Sequence, residues 1–170
     1  MKKKLIFSGA AVALLAAFFF YMPKGAEKGK CLEGDCTSGA GTLVFKDGRK
    51  YIGNFANGSY NGQGFLLLPD GRKYDGAWKN DLPNGLGAQT NPDGTIYTGE
   101  WKDGKYDGQG TLTTADGGSY TGAWQNDLPH GTGTLTKPDG RKFTGEFRKG
   151  KAVGEGELVT PEGKETKVTL

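Results

Sequence analysis

Tyr97-Thr98-Gly99-Glu100-Trp101-Lys102-Asp103-Gly104-Lys105-Tyr106-Asp107-Gly108-Gln109-Gly110 recurs, with small changes, when the chain is shifted by 23 residues in either direction. Its leading aromatic falls at Tyr51, Tyr74, Tyr97, Tyr120 and Phe143. Two residues on stand Gly53, Gly76, Gly99, Gly122 and Gly145, and two further on Phe55, Trp78, Trp101, Trp124 and Phe147. The closing pair is Gly62/Gly64, Gly85/Gly87, Gly108/Gly110, Gly131/Gly133 and Gly154/Gly156. Self-similarity at a fixed short period marks a repeat architecture, in which each unit buries its apolar face against its neighbours.

Aromatic-x-glycine-x-aromatic has period 2, so the three share one face of a strand, while the intervening residues, such as Thr98 and Glu100, are mostly polar. The glycine between the rings allows another backbone or ring to approach closely. Beyond the closing glycines a second alternating run carries Leu43, Leu66, Gln89, Leu112, Leu135 and Leu158, with Gln89 the one departure. Each unit therefore reads as a β-hairpin. Units are joined by Asp47-Gly48, Asp70-Gly71, Asp93-Gly94, Asp116-Gly117 and Asp139-Gly140, a strong turn signal because glycine accepts positive φ freely. The expected fold is all-β: an elongated, twisted, single-layer antiparallel sheet of tandem 23-residue hairpins, preceded by one N-terminal apolar helix.

A second period is superimposed on the first. Gly58-Ser59-Tyr60-Asn61 and Gly104-Lys105-Tyr106-Asp107 alternate with Asp81-Leu82-Pro83-Asn84 and Asp127-Leu128-Pro129-His130, giving a 46-residue similarity unit. These segments are expected to be loops along one edge, and His130 a turn residue. At the C-terminus, Thr166, Val168 and Leu170 replace aromatic, glycine and aromatic, as suits a strand capping a stack.

Charge is divided unevenly. Residues 1–30 hold six lysines and one glutamate, whereas residues 31–170 hold 16 basic and 18 acidic side chains. The basicity belongs to the N-terminal arm, and a slightly acidic array argues against nucleic acid as a partner. Met1-Lys2-Lys3-Lys4 precedes the 18-residue apolar run Leu5 to Met22, broken only by Ser8 and Gly9. Such a helix reaches roughly 27 Å, the short end of what spans a bilayer. The bulky end Phe18-Phe19-Phe20-Tyr21-Met22-Pro23 offers no small-residue cleavage site, so residues 1–22 read as an uncleaved signal-anchor; a cleaved signal peptide is the alternative. Residues 23–30 form a polar tether and residues 31–170 the array. Cys31 and Cys36, close together beyond an export signal, read as a disulfide in an oxidising compartment; free thiols or half a metal site are the alternatives. The expected placement is single-pass in the cytoplasmic membrane, N-terminus in, with the repeats in a periplasmic or other extracytoplasmic space.

These residues resemble the MORN-repeat family, whose Tyr-x-Gly-x-Trp/Phe pattern with a following Gly-x-Gly is met five times here. Cys31-Leu32-Glu33-Gly34-Asp35-Cys36 is similar to openings of bacterial members. The resemblance implies a twisted sheet of successive hairpins used for binding or dimerisation, often near membranes, with phospholipid contact proposed for some members. It also implies no catalytic role, since enzymatic members carry a separate catalytic domain.

The residues themselves offer no nucleophile with a base, a single histidine, and carboxylates spread one per turn rather than massed as a calcium loop needs. No cofactor or metal is expected. Three binding readings follow. The first is a protein partner or a second copy on the face of Tyr51, Phe55, Tyr74, Trp78, Tyr97, Trp101, Tyr120, Trp124, Phe143 and Phe147 or along the loop edge. The second is anionic headgroups at Arg49, Lys50, Arg72, Lys73, Arg141 and Lys142. The third is a cell-envelope glycan stacked on Trp78, Trp101 and Trp124. Most of the rings are expected simply to pack on neighbouring repeats.

Overall fold

The computed structural model describes residues 29–170, which form one antiparallel sheet of thirteen strands in sequence order. They are β1 (Lys30–Gly34), β2 (Ala40–Val44), β3 (Lys50–Ala56), β4 (Ser59–Leu67), β5 (Lys73–Lys79), β6 (Leu82–Thr90) and β7 (Ile96–Lys102). Then come β8 (Lys105–Thr113), β9 (Ser119–Gln125), β10 (Leu128–Thr136), β11 (Lys142–Arg148), β12 (Lys151–Val159) and β13 (Glu165–Thr169). Among the described residues no helix is long and apolar enough to cross a membrane. The expected anchor helix and most of the tether lie outside the described residues.

The strands alternate as the period-2 pattern requires. In β7, Tyr97 and Trp101 are buried while Ile96, Thr98 and Glu100 are exposed. The Asp-Gly turns are also where they were expected, and each closes on itself: Asn91 N–H donates to the Thr95 carbonyl at 2.9 Å, and Gly94 N–H to Asn91 at 3.0 Å.

The segments expected to be loops belong to strands instead. Tyr60, Pro83, Tyr106 and Pro129 lie near the starts of β4, β6, β8 and β10, and His130 is in β10, half-buried, rather than in a turn. Only two residues turn the chain at each hairpin tip. Asn80 and Asp81 both have positive φ, 49° and 66°, as do Asn126 and Asp127. Two consecutive positive φ values give the tight turn whose twist matches its strands.

Within a hairpin the second strand is the longer. Gly99 faces Gly110 and Trp101 faces Tyr106, so one residue intervenes on β7 where three intervene on β8. The excess is taken up as a bulge at Gly108, whose φ is 110°. Between hairpins there is no such slip: β8 runs in register with β9 from Gly108–Trp124 to Thr113–Ser119. The first glycine of each Gly-x-Gly thus bends the strand. The second lies beneath the leading aromatic ring, a tyrosine in four repeats and Phe143 in the fifth: a Cβ on Gly110 would overlap the hydroxyl of Tyr97.

The core is one ring thick and runs along the sheet. Tyr51, Tyr74 and Tyr97 have no exposed surface, and Trp78, Trp101 and Trp124 are also buried. Each of Tyr51, Tyr74, Tyr97 and Tyr120 meets the second aromatic ring of its own strand edge-on, and that of the next hairpin too, as Tyr74 does Trp78 at 4.9 Å and Trp101 at 5.0 Å. Edge-to-face pairs at such spacings add about 0.5–1.5 kcal/mol each beyond area burial. Each hairpin is therefore held to the next by the same contacts that hold it together.

Candidate interaction surfaces

All ten aromatic residues of the candidate binding face, Tyr51, Phe55, Tyr74, Trp78, Tyr97, Trp101, Tyr120, Trp124, Phe143 and Phe147, are buried in this row. Their polar atoms are engaged as well. The hydroxyls of Tyr51, Tyr74, Tyr97 and Tyr120 donate to the carbonyls of Asn54, Ala77, Glu100 and Ala123 at 2.9–3.0 Å, the residues facing the bulges. The indole N–H of Trp78 donates to Gly64 at 2.9 Å, that of Trp101 to Gly87 at 3.2 Å and that of Trp124 to Gly110 at 3.1 Å. Burial raises the tyrosine hydroxyl pKa above its ordinary value along the row, at Tyr120 up to about 12.

Four core positions carry no signal in the 23-residue pattern. Tyr60 stacks on Tyr51 with ring centres 3.7 Å apart and planes 5° from parallel, and Tyr106 stacks on Tyr97 at 3.6 Å and 9°. Pro83 and Pro129 take the corresponding places in the alternate hairpins, fully buried. The 46-residue period was the signal that could have found them. Its cause lies at the hairpin tips. Asp81 N–H donates to the Tyr60 carbonyl, and Asp81 Oδ1 accepts from Tyr60 N–H. Asp127 repeats both bonds with Tyr106. Where the strand offers proline, which has no N–H, the facing tip has glycine: Gly104 N–H donates to Pro83 and Gly150 N–H to Pro129, both at 2.9 Å. Burial raises the Asp127 carboxyl pKa, against the Tyr106 N–H that favours its charge.

The candidate headgroup contacts divide in two. The Nε of Arg49, Arg72 and Arg141 each donates to the turn aspartate two residues earlier, Asp47, Asp70 and Asp139, at 2.7 Å. Arg49 is buried and lies over the Phe45 ring at 4.2 Å. The Arg141 guanidinium, through its side-chain hydrogen bond, holds Asp139 below the usual carboxylate range. Lys50, Lys73 and Lys142 instead sit on the opposite face of the sheet, Lys50 half-buried and the others exposed.

Cys31 and Cys36 are joined by a disulfide, with Cα atoms 5.9 Å apart. The turn that follows Cys36 caps the first full hairpin: Phe55 N–H donates to Gly39 at 2.7 Å and Gly58 N–H to Thr37 at 2.9 Å. Gln89, the departure in the leucine row, is buried and its Nε2 donates to Asn91 Oδ1 at 2.7 Å, so its polarity is met locally. No group of three or more potential metal ligands occurs among the described residues.

No curated protein matches the chain. Among solved structures, the TCP domain of SAS-4 from Drosophila melanogaster, in complex with a proline-rich motif of Ana2, is 14% identical. That match covers 84% of this chain and 90% of that one, with a TM-score of 0.47. A catalytically inactive virginiamycin B lyase from Staphylococcus aureus, with quinupristin, is 11% identical over 84% of this chain and 73% of that one, with a TM-score of 0.22. Neither likeness is close enough to carry an argument. The family comparison is decisive: the MORN repeat matches residues 51–71, 74–96, 97–119, 120–140 and 143–165. Those five matches cover more than half of the sequence and fall on the five hairpins from β3 to β12, so the chain belongs to the MORN repeat family.

Proposed function

We propose that this chain is a non-enzymatic, membrane-tethered protein-interaction scaffold. MORN repeats are often protein- or membrane-interaction modules and are generally not catalytic. The observation that carries the reading is how the residues are allotted. Those that recur in every hairpin are spent on the aromatic row and its glycines, leaving a broad exposed face whose residues differ from one hairpin to the next. A rigid surface with a varied face suits recognition of a partner better than a reaction, which needs convergent groups in a concave site.

The tether rests on Lys2, Lys3, Lys4 and the apolar run Leu5 to Met22, with the array outside the cytoplasm and the Cys31–Cys36 disulfide suited to an oxidising compartment. Export as a soluble protein after cleavage is the alternative placement. Glycan stacking draws less support, because the three indoles are buried and their N–H groups engaged. Phospholipid contact is weakened at the three arginines by their turn aspartates and by the acidic balance of residues 31–170.

Fractionation of cells making the full chain, followed by detergent extraction and purification, tests this reading. The chain is expected in the membrane fraction after an alkaline wash, its array open to external protease, with a protein co-purifying in fixed proportion. Release by the wash without any protein partner would overturn it.

A further inference from the structure

The hairpins are copies, so each serves as a control for the others. On the face away from the aromatic row, the first hairpin (β3–β4) carries Ile52, Phe65 and Leu67, where the fourth (β9–β10) carries Thr121, Thr134 and Thr136. The two hairpins have strands of equal length and the same slip in register. Threonine therefore satisfies the fold at these positions, and it is well suited to an exposed strand. The first hairpin instead carries an apolar patch that the sheet does not need, in which Phe65 and Leu67 are half-buried and Ile52 is exposed. Ile52 is 43% exposed and lies directly opposite Phe65. Leu67 has Lys50 opposite it on one side and Lys73 on the other. Exposed apolar clusters with a polar rim mark contact sites.

We propose that this patch docks a protein segment with an apolar centre flanked by carboxylates, which is the partner contact of the scaffold and rests on that reading. Two lysines bracketing Leu67 select an acidic surround. A second copy meeting the patch about a two-fold axis would set lysine against lysine. An anionic bilayer would meet Asp75, exposed and opposite Phe65. A protein segment can pair with the lysines while leaving that carboxylate in water.

The test places a photoreactive phenylalanine analogue at position 65 in the full chain in its own cells, with position 134 as control, and maps the cross-linked peptides. A protein adduct at 65 and not at 134 is expected, with aspartate or glutamate beside the linked apolar residue. Lys50→Glu with Lys73→Glu should cut its yield about tenfold. The combined variant Ile52→Thr, Phe65→Thr and Leu67→Thr should keep its melting midpoint and lose the co-purifying protein. A lipid adduct, a self-adduct, no adduct, or a yield indifferent to the lysines would overturn the proposal. Capture from another position of the array with none at 65 would leave the scaffold reading standing without this patch, and capture from no position would remove both.

Discussion

The backbone N–H of Tyr60 donates to Oδ1 of Asp81 at 2.7 Å, and Asp81 returns its own N–H to the Tyr60 carbonyl at 3.1 Å. The two residues are 21 apart in sequence and belong to different hairpins, so this exchange is a joint between repeats. Asp81→Ala removes the acceptor and leaves the Tyr60 N–H unpaired in a half-buried place, at a cost of about 1–2 kcal/mol. Asp81→Asn keeps both an oxygen acceptor and a tolerance of positive φ, and should recover most of the loss. Urea unfolding of the two variants checks this; equal loss in both would show that the oxygen is not what matters.

Gly110→Ala should be among the most damaging single changes available. Its Cβ would overlap the Tyr97 hydroxyl, and the ring is held between Trp101 and Tyr106. The expected cost is about 3 kcal/mol. Gly117→Ala is the control, because φ there is 87° but nothing lies within 4 Å of the added carbon. It should cost only about 1–2 kcal/mol, from backbone conformation alone. Thermal melts of the two variants would separate steric overlap from strain.

Alkali should unfold the array cooperatively. Burial raises the tyrosine pKa in the folded chain above the ordinary value of about 10, so the folded state holds protons that the unfolded state releases. The stabilisation is complete below about pH 10 and is lost as pH rises through the folded values, the lowest of which is Tyr120 at about 12. Tyrosinate absorbance at 295 nm should therefore appear together with loss of the β circular dichroism signal. A simple titration near pH 10 with the fold intact would contradict the burial.

Reduction of Cys31–Cys36 should act locally. Closing so short a loop contributes about 2 kcal/mol in the chain-entropy account. Each hairpin meets mainly its neighbours, so the loss should loosen β1 and β2 and fade along the sheet. Hydrogen exchange should speed up at residues 30–44 and stay unchanged in β7 to β10. Uniform acceleration would mean that the array unfolds as one unit.

Much of this fold was legible in the sequence, since alternation, spacing and turn chemistry all recur five times. What was not legible depends on partners distant in the chain. The slip opposite Glu100 is invisible along β7, because it exists only in the pairing with β8. The alternation of Tyr60 with Pro83 could be seen, but its reason could not, because the matching Asp81 and Gly104 lie in the next hairpin. The candidate binding face was the least reliable guide to exposed surface. Residues such as Trp101 recur because every unit needs them inside, so repetition points to the core, whereas the exposed Ile52 and the half-buried Phe65 on the other face are departures that carry no repeat signal.

The tip-to-strand matching also bears on how such an array can lengthen. Tyr60 needs an aspartate at the following tip, whereas Pro83 is met by a glycine. Adding or deleting one hairpin in mid-array would set a tyrosine N–H against a tip without a carboxylate, or a carboxylate against a proline with no proton to give. A two-hairpin step of 46 residues leaves every joint matched. Gene duplication acting on this chain would then be tolerated in even steps, and the length of the surface it offers would be inherited in pairs of hairpins.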